Sequence, residues 1–167
     1  MTRFLVAALV LSACSSNAPE DSTANPDAPE AGESTTPDTG EASVANVTTV
    51  AASGDAGAYT FAVTLSSPDT GCDQYANWWE VLDADGALLY RRILGHSHVD
   101  EQPFTRTGGP VPVDAEQVVF VRAHMSNGGF GRMLTGTAAE GFSEARAAPQ
   151  IAASIEAADP QPTECAF

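Results

Sequence analysis

The chain contains no lysine, and its seven arginines face 22 carboxylates, which gives a formal net charge of −15. A surface with so much excess acid repels polyanions, so binding to nucleic acid or directly to anionic lipid headgroups is not expected. Basic side chains supplied by arginine alone suit a GC-rich genome or a saline habitat. Both explanations, a GC-rich genome and a saline habitat, agree with this composition.

Long hydrophobic runs are also missing. The longest apolar stretch, Phe4 to Leu11, has eight residues, whereas a membrane-spanning helix needs about 20. A spanning anchor is therefore not expected. The length and the preceding Arg3 are instead typical of the apolar part of a secretory signal.

The four residues Leu11-Ser12-Ala13-Cys14 close this stretch and match the lipobox of bacterial lipoproteins, whose signal peptide the N-terminus resembles. The resemblance implies that residues 1–13 are removed and that Cys14 becomes a lipidated N-terminus in the cell envelope. In that family, Ser15 after the cysteine implies sorting to the outer membrane if the source has two membranes. The first predicted partner is the membrane, which the protein binds through lipid on Cys14. Stable anchoring needs more than one acyl chain, and the lipidated cysteine of this family carries two or three.

Residues 15–43 lack every large apolar side chain and carry seven carboxylates without a basic residue. Such a segment cannot bury enough apolar area to offset the entropy of ordering it. We therefore predict that 14–43 is the lipidated cysteine followed by a disordered acidic tether. Apolar residues return from Val44, and 44–167 has the usual size of one domain with a core.

Cysteine is scarce, with three residues in the chain. If Cys14 is lipidated, Cys72 and Cys165 remain as an even pair in an oxidising compartment. We predict a disulfide between them, which closes a loop of about 90 residues and is worth roughly 4–5 kcal/mol in the chain-entropy model. It would pin the C-terminal tail to the loop before the two tryptophans.

Short apolar segments between turn residues predict an all-β fold, a small antiparallel β-sandwich. A turn at Asp83-Ala84-Asp85-Gly86 predicts a hairpin, because glycine supplies the positive φ that such turns need. Gly108-Gly109-Pro110 is interpreted as a break, and Ser143 as the cap of a helical turn over 143–148. The alternative is an α+β fold with a C-terminal helix. The predicted strands cover 44–51, 59–65, 78–82, 87–94 and 117–125.

The three histidines are candidate metal ligands. In an extended segment His96, His98 and Asp100 project to the same side, so two imidazoles could meet one zinc or copper ion. His124, Asp100 or Glu101 would complete the site. The competing interpretation needs no cofactor: Asp100 and Glu101 pair with Arg91, Arg92 or Arg106 and fix the loop.

Side chains around the tryptophan pair are candidates for a contact surface. Trp78 and Trp79 point to opposite faces of a strand, so one is expected in the core and the other half-exposed. The second tryptophan either packs on the sheet, which is the preferred interpretation, or contacts a partner. Alternation in 117–125 places Arg122 and His124 on the face away from the core. The candidate surface comprises Asp100, Glu101, Arg122, Trp78 and Trp79.

No hydrolase, phosphate-binding or dinucleotide motif is present, so the function is predicted to be non-catalytic. Three motifs occur within residues 75–131: Trp-Trp-Glu-Val at 78–81, Leu-Tyr-Arg-Arg at 89–92 and His-Ser-His-Val-Asp-Glu-Gln-Pro-Phe at 96–104. With these motifs the segment resembles a block of uncharacterised bacterial lipoproteins, and this resemblance implies no particular activity. We predict a membrane-anchored envelope protein that displays a binding domain for another envelope protein or a small ligand. The alternative is a metal-binding envelope protein that uses the His-x-His loop.

Overall fold

A computed structural model describes residues 43–166, and these form two antiparallel sheets and one disulfide, Cys72–Cys165. The all-β prediction is confirmed. The predicted signal peptide, the lipidated Cys14 and nearly all of the predicted tether lie outside the described residues. Within the described part, no helix is long and apolar enough to cross a membrane.

The described residues form nine strands. In chain order they are β1 Asn46–Ser53, β2 Tyr59–Ser66, β3 Ala76–Leu82, β4 Leu88–Ile93, β5 Phe104–Val111, β6 Val119–Met125, β7 Gly129–Phe130, β8 Leu134–Thr137 and β9 Gly141–Glu144. The smaller sheet has the order β1-β2-β5, and the larger has the order β4-β3-β6-β8-β9, with β7 paired to β6.

The apolar core lies between the two sheets, because alternate residues of each strand point inward. In β2 the inward residues are Phe61, Val63 and Leu65, all of them fully buried. In β6 the corresponding set includes Val121, Ala123 and Met125, as the period-two pattern predicts. One contiguous cluster with residues from both sheets therefore holds the sandwich together.

The β3–β4 hairpin forms where it is predicted. Gly86 has φ of 81°, a conformation that costs a residue with a Cβ about 1–2 kcal/mol. The Asp83 carboxylate accepts hydrogen bonds from the backbone N–H groups of Asp85 and Ala87, at 2.9 and 2.8 Å. Aspartate here stabilises the turn by binding its own backbone.

The structure contradicts two local predictions. Ser143 lies in β9 and does not cap a helical turn, because β9 pairs with β8 along its whole length. The predicted break at Gly108-Gly109-Pro110 lies within β5. Pro110 is tolerated because β5 is the edge strand of its sheet, where no ladder partner needs its missing N–H. The C-terminal helix of the α+β alternative is reduced to a single 3-10 turn, Ala153–Ile155.

The C-terminal strap, which we define as residues 146–166, covers the outer face of the larger sheet. At one end Gln150 lies against Gly86 in the β3–β4 turn. At the other end Cys165 is bonded to Cys72, and the Ala166 N–H donates to the Gly95 carbonyl at 2.7 Å. The predicted disulfide is thus present, and it fastens one end of the strap.

Candidate functional site

The histidine loop, residues 94–103, connects β4 to β5 and is fastened by a buried carboxylate. Asp69 accepts hydrogen bonds from the His98 N–H at 2.8 Å, the Ala76 N–H at 3.0 Å and the Ser67 hydroxyl at 2.7 Å. The Gln102 amide donates to the His98 carbonyl at 3.0 Å. The loop is therefore held by specific polar contacts on its inner side.

His98 is buried in this loop although its ring nitrogens have no hydrogen-bond partner within the described residues. Its ring stacks on Phe104 with centroids 3.8 Å apart, and the His96 ring lies 4.4 Å away. Nδ1 is 3.8 Å from the Asp69 carboxylate, too far for a hydrogen bond. Burial, and then the positive charge of Arg106, lowers the pKa of His98. The ring is thus held neutral at pH 7.

A pocket of about 300 Å³ opens beside this loop, and two arginines are the charged residues of its lining. Arg92, His96, His98 and Arg106 line it together with the apolar side chains of Ile93 and Leu94. We call it the arginine pocket. Arg106 donates to the Glu101 carboxylate at 2.6 Å, and this contact lowers the pKa of Glu101. Arg92 is exposed and forms no salt bridge within residues 43–166.

A second polar cluster lies on the outer face of the larger sheet, beneath the strap. Glu80 is fully buried, and its two carboxylate oxygens bind two arginines. Arg91 approaches Oε2 at 2.7 Å, and Arg122 approaches Oε1 at 2.7 Å. Arg91 also donates to strap carbonyls, those of Ile155 at 2.6 Å, Ala158 and Pro160. The cluster therefore ties the sheet to the strap.

His124 belongs to this covered cluster. Its ring stacks on Trp78 with centroids 3.8 Å apart. Nδ1 lies 2.8 Å from the Asn77 side-chain oxygen, and Nε2 lies 3.4 Å from the Glu156 carboxylate on the strap. Burial lowers the pKa of His124, although Glu156 acts in the opposite direction.

The predicted metal site is not supported by this geometry. His96 and His98 come together, but His124 has a separate set of neighbours under the strap. Across residues 43–166 no three His, Cys, Asp or Glu side chains are arranged to hold a metal ion. His96 and Asp100 are exposed while His98 is buried, and the chain turns at Val99-Asp100, so the three side chains do not lie on one side as in an extended segment.

Part of the predicted contact surface is also corrected. Trp79 lies in the core as one of the pair must, but Trp78 is 3% exposed and not half-exposed. Arg122 is 7% exposed. The physical reason is the strap, which covers the outer face. Asp100 and Glu101 are exposed in the histidine loop and remain available for contacts.

Sequence reasoning missed three residues that organise these sites. Glu80 is in the middle of an apolar strand, directly opposite Arg91 and Arg122 in the strand register, and this position was the available signal. Arg92 appeared only as one partner for nearby carboxylates. Asp69 gave no signal, because it lies in a turn-like segment where aspartate is common.

These features define a disulfide-linked all-β sandwich domain with a cationic pocket at one end and a covered ionic cluster on one face. Over 91 residues, 54% of its length, the chain is 41% identical to a protein of the archaeon Halomicrobium mukohataei named "Putative lipoprotein". The aligned part is 44% of that protein, so the chain spans less than half of its relative. No protein-family profile and no solved structure matches the chain.

Proposed function

We propose that this protein is a lipid-anchored cell-envelope lipoprotein whose β-sandwich domain is a non-catalytic binding module. The observation that carries the proposal is the lipobox Leu11-Ser12-Ala13-Cys14, which the similarity to a protein named as a lipoprotein supports. The lipid would be on Cys14, with sorting to an outer membrane where the source has two membranes. The lipobox implies a bacterial source, whereas the similar protein is archaeal. The bacterial source is therefore part of the proposal.

The histidine loop and the arginine pocket form the proposed binding face. Asp100, Glu101 and Arg92 are exposed there, whereas the cluster around Glu80 is covered by the strap. The partner is another envelope protein or a small ligand. Nucleic acid is not proposed, because a net charge of −15 repels it.

Anchoring is tested by expressing the full chain and a Cys14→Ala variant in a lipoprotein-processing host and measuring detergent-phase partitioning. The wild-type chain should partition into the detergent phase, with a mass that lacks residues 1–13 and includes added acyl chains. The Cys14→Ala variant should lose both properties. A Cys72→Ser/Cys165→Ser variant is the matched control, because it removes cysteines but keeps the lipobox. Equal partitioning of wild type and Cys14→Ala would show that the lipobox does not anchor the chain.

A further inference from the structure

The arginine pocket concentrates positive charge in an acidic domain. Residues 44–167 contain fifteen carboxylates and six arginines, yet two of those arginines and two of the three histidines line this one pocket. The lining itself contains no carboxylate. The charge of the pocket is therefore opposite to that of the molecule.

From this arrangement we propose that the arginine pocket binds a small soluble anion through a phosphate or carboxylate group. This rests on the proposed function as a binding module and names its ligand class. Guanidinium groups present paired donors that match the oxygens of such groups. A cavity of about 300 Å³ is at the small end of ligand sites. A large polyanion would instead be repelled by the rest of the surface.

A buried polar side chain supports a ligand at this position. Both ring nitrogens of His98 are buried without a hydrogen-bond partner in the described residues. Leaving such groups unpaired is unfavourable, and unpaired groups often mark functional positions. His98 lines the pocket and lies beside Arg106 and His96, which repel a proton on its ring. An anion in the pocket would offset that repulsion.

Glu101 provides internal support, because its carboxylate already binds the Arg106 guanidinium at 2.6 Å. The contact shows that the Arg106 guanidinium can donate hydrogen bonds to an oxyanion in its present position. Glu101 is exposed on the histidine loop, so its carboxylate competes with any ligand for Arg106. Removing the charge of Glu101 should therefore strengthen binding, and removing the charge of Arg92 should weaken it.

The test is isothermal titration of the full lipidated chain in a nonionic detergent, with inorganic phosphate and with acetate as separate titrants at low ionic strength. We expect saturable one-to-one binding of at least one of them, and the stronger titrant identifies the preferred group. Arg92→Gln should weaken binding about tenfold or more, the usual effect of losing a charge-assisted hydrogen bond. Glu101→Gln should tighten it. Arg146→Gln, which removes an exposed arginine outside the pocket, should leave it unchanged.

A second readout follows the imidazole of His98 by NMR, with and without the titrant. Bound anion should raise the pKa of His98, where the facing charged groups are Asp69, Glu101, Arg106 and His96. Absence of saturable binding by both titrants would overturn the proposal, and so would equal weakening by Arg92→Gln and Arg146→Gln. The lipid anchor is tested separately by detergent partitioning. A negative titration would therefore overturn anion binding but not the anchor, and a negative partitioning result would overturn the anchor but not anion binding.

Discussion

Neutralising Glu80 is the sharpest test of whether its buried ion pairs with Arg91 and Arg122 stabilise the outer face of the larger sheet. Glu80→Gln keeps the shape of the side chain but leaves Arg91 and Arg122 without their shared anion, at sites where the Arg91 side chain is fully buried and that of Arg122 is 9% exposed. Breaking a buried ion pair by removing one partner costs about 3–5 kcal/mol. We expect the lower end of this range, because Arg91 retains carbonyl acceptors on the strap.

The measurement is the free energy of unfolding from urea titration followed by tryptophan fluorescence, at low and at high salt. Glu144→Gln is the matched control, because Glu144 pairs with Arg132 at 3.7 Å with both side chains about half exposed or more. Exposed pairs contribute at most about 1 kcal/mol and are screened by salt. The loss at Glu80 should persist at high salt, since buried charges are poorly screened.

A double variant, Glu80→Gln with Arg122→Met, checks the cause. If the loss in Glu80→Gln comes from an uncompensated cation, removing one of the two arginines should recover part of it, so the effects should not add. A loss below about 1 kcal/mol for Glu80→Gln, well under the range for buried pairs, would refute this reasoning. So would a double variant whose loss equals the sum of the two single losses.

Three further predictions concern pH, the disulfide and the hairpin turn. The pKa of His98 is lowered in the folded state, so near and below the ordinary histidine pKa of about 6.5 the unfolded chain binds more protons than the folded chain. The free energy of unfolding should therefore fall from pH 7 to pH 5. Denaturant titrations should show a shallower fall for His98→Phe than for the wild type, and identical slopes would contradict this. In Cys72→Ser/Cys165→Ser the free energy of unfolding should fall by about 4–5 kcal/mol, the chain-entropy value for a separation of 93 residues. Urea titration measures this loss, and an unchanged midpoint would mean that the strap is held without its covalent link. Gly86→Ala should cost more than Gly57→Ala by the same measurement, because both have φ near 80° but only the new Cβ at position 86 meets the strap; equal losses would contradict the contact.

Strand identity could be predicted from the sequence where one face of a strand is apolar. The alternation in β6 correctly separated Val121, Ala123 and Met125 from Arg122 and His124. Period two reports which residues share a face, but it does not report what covers that face. The burial of Arg122 and His124 depends on residues more than twenty positions later in the chain, and their own strand contains no sign of it.

The arginine pocket was not predicted from the sequence, for a related reason. The pattern His96-Ser97-His98 indicated a functional loop, and the two rings do approach each other. His98 is fixed by a hydrogen bond from its N–H to Asp69, 29 positions earlier, and it is buried while His96 is exposed. Such long-range polar contacts carry no local periodicity, so residue spacing alone could not place them.

The strap has a consequence for how the covered cluster responds to thermal motion. It is joined to the sheet at both ends, through β9 before residue 146 and through the Cys72–Cys165 bond at its far end. When the contacts to Arg91 and His124 open, the strap stays within reach, so its effective concentration at the sheet remains high. We therefore expect water to reach the covered ionic cluster only briefly, because the strap closes again from a short distance.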